Sequence, residues 1–254
     1  MMAFWPEVIR PLLEVIDPES IVEIGSESGK TTRLLAEFAR DRGARVHAVD
    51  PKPLFDPAAM RHELGDHFFF HPLPSLLAIS TIDRFDAVLI DGDHNWYTVF
   101  HELKLIEERS HEIAQPLPII FLHDIAWPYG RRDVYYDPET IPAEHRQPFG
   151  RLGISPTHVA LMPRGGMNSK MHNALIEGGP RNGVLTAIED YLAQTAERFT
   201  FVNIPAVFGL GILLPEARMQ AKPELRQRIE PWTVPEVARF IERLEMARIA
   251  MLVP

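Results

Sequence analysis

The sequence predicts an α/β fold built on a parallel sheet with helices on both faces. Two observations predict it. Short, continuously apolar runs alternate with amphipathic helical segments through the first half of the chain, and nearly every run stops at a glycine, a proline or an acid.

Phe4, Val8, Ile9, Leu12, Leu13 and Ile16 recur at helical spacing, so residues 4–16 read as an amphipathic helix that ends at Asp17-Pro18. Residues 21–25 are the first strand and its turn, and 31–42 a helix closed by Gly43. Residues 45–50 (RVHAVD) form the second strand, 58–64 a short helix, 67–73 the third strand and 76–82 a helical turn. The fourth strand is 85–91 (FDAVLID), followed by a helix over 97–109 and a fifth strand over 118–123. The pattern then breaks: residues 125–180 hold seven prolines and seven glycines with little periodicity. Their tyrosines and tryptophan argue against simple disorder, and long irregular segments in compact domains are usually lids. A helix over 183–195, a hairpin of strands 199–204 and 207–214, and helices over 216–228 and 234–251 complete one domain spanning 1–254.

Composition narrows the function. The chain of 254 residues is 46% hydrophobic and 24% charged, an ordinary globular balance. It has no cysteine, which excludes disulfides, thiolate zinc and a cysteine nucleophile. The net charge of −9 makes a nucleic-acid partner a poor expectation. All the excess acid lies in residues 1–124, with 11 basic and 21 acidic side chains. No apolar run is long enough for a bilayer, and the N-terminus lacks the pattern of a signal peptide, so a cytoplasmic protein is expected.

The first strand opens into Glu23-Ile24-Gly25-Ser26-Glu27-Ser28-Gly29-Lys30-Thr31-Thr32. A P-loop needs four residues between its glycines; here there are three. A dinucleotide fingerprint needs a central glycine where Glu27 stands. A nucleoside cofactor without phosphate is the reading left. Asp50, ending the second strand 25 residues after Gly25, suits it, since a carboxylate there can accept both ribose hydroxyls.

The E-I-G-S-E-S-G turn, Asp50 and the FDAVLIDGDH strand resemble class I S-adenosylmethionine-dependent methyltransferases, over roughly residues 18–124 and 183–214. The resemblance implies a Rossmann-like, doubly wound, seven-stranded sheet, mostly parallel with an antiparallel last strand, which the FTFVNIPAVFGLGILLP hairpin would supply. It implies S-adenosyl-L-methionine held by Glu23, Gly25, Ser26, Gly29, Thr31, Asp50 and Asp91.

Strand four ends in Asp91-Gly92-Asp93-His94 and strand five in His123-Asp124. Ligands of open parallel sheets sit beyond the carboxyl ends of the strands, so these side chains should share one crevice. Carboxylates with an imidazole suit Mg²⁺ or Mn²⁺, and a nearby histidine could take a proton at neutral pH. The arrangement is similar to metal-dependent O-methyltransferases of sugars, macrolides or catechols and to the cephalosporin hydroxylase-like group. That resemblance implies metal ligands at Asp91, His123 and Asp124 and a base at His94; the family more often has an acid at His123, which stands either as a ligand or as a base in the metal's place.

Trp127, Tyr129, Arg131, Arg132 and Asn182, in and just after the 125–180 segment, are expected to hold substrate under a lid; the other reading of the segment is a homodimerisation arm. The expected function is methyl transfer to a hydroxyl of a small molecule, a sugar or other natural product. The alternatives are a hydroxylase-like metal enzyme on the same fold and a non-catalytic cofactor-binding or interaction module.

Overall fold

The computed structural model describes residues 1–253. Its chain order begins with two irregular helical turns (Met2–Phe4 and Trp5–Ile9), then α1 (Arg10–Ile16), β1 (Ser20–Ile24), α2 (Lys30–Arg40), β2 (Arg45–Val49), α3 (Pro57–Leu64) and β3 (Phe68–His71). The single-turn α4 (Ser75–Ala78), β4 (Ala87–Ile90), α5 (Trp96–Glu112) and β5 (Ile119–His123) follow. The inserted segment holds β6 (Val134–Tyr135), β7 (Phe149–Gly150), β8 (Gly153–Ser155), β9 (His158–Met162) and β10 (His172–Ala174). The chain continues as α6 (Val184–Gln194), β11 (Phe199–Ile204), β12 (Leu210–Pro215), α7 (Glu216–Ala221), α8 (Glu224–Ile229) and α9 (Pro235–Leu252).

Seven strands form the main sheet in the order β11-β12-β5-β4-β1-β2-β3. All neighbours are parallel except β12, which runs antiparallel to both β5 and β11. Alternate strand residues serve opposite faces. Ile21, Val46, Leu89 and Phe121 pack with α1, α2, α3, α7 and α8. Val22, Val49, Ile90 and Leu122 pack with α4, α5 and α6. That double burial is why the strands read as continuous apolar runs. The carboxyl ends of β1, β2, β4 and β5 share one edge, where the strand order reverses between β1 and β4. In doubly wound sheets ligands bind at that edge.

Four expectations need correction. The N-terminal helix is regular only from Arg10, since Pro6 and Pro11 cannot donate the backbone bonds a longer α-helix needs. The helix expected over 216–228 is two helices, separated at Lys222-Pro223. The last strand starts at Leu210 rather than residue 207, because Val207, Phe208 and Gly209 are all left-handed, at φ 45°, 67° and 93°. The 125–180 segment is not irregular: it holds a three-stranded sheet, β6-β10-β7, and a β8-β9 hairpin, with strands too short to show a period in sequence. Among the described residues no helix is long and apolar enough to cross a membrane.

Candidate active site

Glycine shapes the first turn by letting two backbones meet. Gly25 has φ 84°, and a Cβ there would lie 2.4 Å from the Asp91 carbonyl oxygen and 2.5 Å from the Gly92 Cα. Gly25 therefore seats the β1 turn directly against the end of β4, a close approach only glycine permits. Gly29, also left-handed, packs against Phe55 and Met60. Asp50 pins the same turn: its Oδ2 accepts the Ser26 and Glu27 N–H groups at 3.1 and 2.8 Å, and its Oδ1 accepts Lys52 N–H at 2.7 Å. The Ser26 hydroxyl adds a longer bond to Oδ2 at 3.5 Å, so the carboxylate's roughly four lone-pair positions are all engaged within the turn.

Glu23 lies beneath the turn, buried, accepting a hydrogen bond from the Thr32 hydroxyl. Burial pushes its carboxyl up to about 8. Thr32 faces inward to this carboxylate, while Thr31, the residue expected at the cofactor, is only half-buried. A cleft of about 320 Å³ opens beside the turn, bordered by Ser28, Gly29, Lys30, Phe55 and Met60. An apolar wall, an acidic turn and backbone pinned by Asp50 fit a nucleoside joined to an amino acid. Of the expected cofactor residues Gly29 borders this cleft, while Asp50 shapes the turn behind it.

The ends of β4 and β5 bring Asp91, His94, His123 and Asp124 together as expected from their positions. His123 Nδ1 lies 3.1 Å from Asp91 Oδ1 and 3.0 Å from Asp124 Oδ2, and its Nε2 donates to the Val207 carbonyl at 3.0 Å. Burial disfavours charge on this ring, but the two carboxylates outweigh it and lift the imidazole to about 10. Asp91 and Asp124 are depressed in turn: burial opposes their ionisation, and the histidines overcome it. Asp91, His123 and Asp124 each offer a ligand atom within 4.8 Å of the others. Two carboxylates and one imidazole suit a divalent ion. With Nε2–H committed to Val207, Nδ1 is the nitrogen that would ligate an ion, after giving up the proton it shares with the carboxylates.

His94 is buried at 8% exposure. Its Nε2 stands 3.3 Å from Asp124 Oδ2 and 3.6 Å from Asp91 Oδ1, and neither ring nitrogen has a partner of hydrogen-bond geometry. Tyr129 stacks on it at 5.9 Å and Tyr136 meets it edge-on. Burial works against protonation, but Asp124 and then Asp91 win, and the ring is raised above 6.5.

The inserted segment turns several expected substrate contacts inward. Arg132 is fully buried and donates to the Ala174 and Val159 carbonyls and to Glu177, so it is a structural cation inside the inserted segment. Asn182 is also buried: it accepts Asp133 N–H and donates to the Ile176 and Gly178 carbonyls. Arg131 forms a two-pronged pair with Glu189 on α6, at 2.6 and 2.7 Å. Only Tyr129 of the five reaches a site residue; Trp127 lines a separate cavity with Pro128 and Met246. Sequence reading missed Asp133. Its Oδ1 accepts the N–H groups opening α5 (Trp96, 2.7 Å) and preceding α6 (Gly183, 2.6 Å), and its Oδ2 accepts the Tyr135 hydroxyl. The buried clamp joins the inserted segment to the core, and a lone Asp amid charged neighbours carries no signal of it in sequence.

Residues 22–125 match the family model described as a methyltransferase domain. No curated protein matches the chain. Among solved structures, the chain is similar to the S-adenosylhomocysteine-bound methyltransferase PaMTH1 of Podospora anserina, at 14% identity over 80% of this chain and 74% of that one, with a TM-score of 0.47. It is similar to a methyltransferase from Geobacter sulfurreducens at 13% identity, covering 82% and 81%, TM-score 0.43. It is likewise similar to the 1,6-didemethyltoxoflavin-N1-methyltransferase of Burkholderia thailandensis at 16% identity, covering 83% and 79%, TM-score 0.42. The family match falls on residues 22–125, the half that carries the glycine turn, Asp50 and the ends of β4 and β5, and what it shows is likeness to a methyltransferase domain over that stretch.

Proposed function

We propose that the protein moves the methyl group of S-adenosylmethionine to a hydroxyl of a small molecule, with His94 as the base. The observation that carries this is a buried imidazole at the end of β4 whose Nδ1 has no partner while its Nε2 faces two carboxylates. The carboxylates favour the tautomer with its proton on Nε2, which leaves the Nδ1 lone pair free to accept a proton. In the reaction the acceptor oxygen bonds to the methyl carbon as the carbon–sulfur bond breaks. The hydroxyl proton goes to His94 Nδ1, and S-adenosylhomocysteine leaves. Asp91 and Asp124 stabilise the imidazolium that results. Tyr129 and Tyr136 flank the ring and restrict water beside it. Alignment of oxygen, methyl carbon and sulfur supplies most of the rate, since the protein forms no covalent intermediate.

Asp91, His123 and Asp124 are the residues that would hold Mg²⁺ or Mn²⁺. When bound, such an ion would lower the pKa of an acceptor hydroxyl. Mn²⁺ titration of the protein, followed by turnover after chelation, separates the metal-dependent from the metal-free reading. The function itself is tested by His94→Ala. S-adenosylmethionine binding should survive, while S-adenosylhomocysteine release with hydroxyl acceptors should drop on the order of 100-fold or more. Full turnover in folded His94→Ala protein would remove His94 from the mechanism.

A further inference from the structure

We propose that Glu245, on the C-terminal helix, is a positioning residue for His123 and acts through the 205–209 turn. The proposal rests on reading His123 as a site residue. It is independent of whether His94 is the base.

α9 is 18 residues long, and Glu245 and Ile249 are its buried side chains. A carboxylate buried at 6% exposure on an otherwise exposed helix is poorly placed for packing alone. Glu245 Oε1 accepts the Phe208 N–H at 2.9 Å, and Arg248 donates to both carboxylate oxygens at 2.7 Å. The turn so held is strained. Val207, Phe208 and Gly209 are consecutive left-handed residues, and a β-branched valine is an outlier there. The turn is clamped again where Ala126 N–H donates to the Phe208 carbonyl at 2.8 Å. A Cβ on Gly209 would lie 2.6 Å from the same Ala126 nitrogen, so the two segments are in backbone contact.

The strain has a geometric product. It aims the Val207 carbonyl at His123 Nε2, 3.0 Å away, which commits the Nε2 proton and turns Nδ1 toward Asp91 and Asp124. Without Glu245 the Phe208 amide loses its acceptor, and only the Ala126 and Ala206 backbone bonds still oppose the strain at Val207. The Val207 carbonyl is then less firmly aimed, and the Nε2 proton of His123 is opened to solvent.

The test is ¹H–¹⁵N spectroscopy of His123 in the full chain. In the wild-type protein its Nε2 proton should be slow to exchange with solvent. In folded Glu245→Ala protein exchange should quicken about tenfold, the factor that corresponds to losing one hydrogen bond's net stabilisation, and Glu245→Gln, whose amide oxygen still accepts, should restore it. Arg248→Ala removes a half-buried side chain that pairs with the carboxylate and lies 4.9 Å over the Phe208 ring, so it loosens both and should shift the exchange in the same direction. It replaces Glu245→Ala should that variant not fold. An unchanged His123 resonance in the folded variant, or a Glu245→Gln protein that behaves as the alanine variant does, overturns the proposal. Neither outcome depends on turnover, so failure here is distinct from failure of the catalytic reading.

Discussion

His94 and His123 differ in what their ring nitrogens touch, and that difference assigns their roles. His123 is bonded on both sides and lifted to about 10, so in the metal-free protein it is a fixed cation at neutral pH. His94 is raised as well, by the carboxylates of Asp124 and Asp91 against the cost of burial, and its Nδ1 has no partner. A base must be unprotonated to act, so kcat/KM should rise with pH. The limb should be centred above the ordinary histidine value of 6.5, because the carboxylates hold the proton on. A pH profile of kcat/KM checks this, and a limb at or below 6.5 would contradict it. Glu102 offers a second residue-scale prediction. It is fully buried in α5, and neither of its oxygens has a hydrogen-bond partner. Burial pushes it from 4.5 up to about 8. Its folded pKa is raised, so its contribution is fully present below about 4.5 and is lost as pH rises through 8. Glu102→Gln should therefore match wild type in thermal stability near pH 5 and exceed it above pH 8, by a few kcal/mol or several degrees. Calorimetric melting at the two pH values decides it. The similarly raised Glu23 will leave part of the wild-type slope in the variant.

At the scale of elements, the inserted segment depends on Asp133. Three hydrogen bonds converge on this buried carboxylate from α5, from the residue before α6 and from Tyr135. Asp133→Ala should cost about 2–4 kcal/mol and should raise hydrogen exchange in β6, β7 and β10 well before the main sheet opens. Uniform exchange across both regions would count against a lid anchored at that point. The glycine turn is the second such element. Gly25→Ala must leave φ 84° or drive a methyl into the Asp91 backbone, so S-adenosylmethionine binding should fall by at least about tenfold, read by titration. Both elements show what sequence can carry. The turn was legible because glycines at fixed spacing after an apolar run mean one thing. Its reason was not: Gly25 makes room for β4, a contact 66 residues away in sequence. Arg132 and Asn182 looked like ligands because polar residues in an irregular segment carry no mark of burial. Only the partners on β9, on β10 and in the 176–178 loop show that they face inward.

For the whole molecule, the strands of the main sheet followed from the alternation of buried strands and helices and the antiparallel hairpin end from the family resemblance, while the spatial order of the strands is read only from the structure. The acidic half of the chain proved to hold a cluster rather than only a surface: Glu23, Asp50, Asp91 and Asp124 stand along one edge of the sheet. What sequence could not carry was the tertiary pairing of distant side chains. The link from Glu245 through Phe208 and Val207 to His123 joins α9 to β5 across more than 100 residues, and no periodicity encodes it. Each part of this account assumes that the edge formed by β1, β2, β4 and β5 receives S-adenosylmethionine. The measurement that tests it most directly is calorimetric titration of S-adenosylmethionine into the folded, full-length chain. The account predicts saturable binding at one site, with a dissociation constant on the order of 1 μM to 1 mM, weakened by Asp50→Ala. Protein shown to be folded that takes up no heat beyond dilution across that range would contradict it.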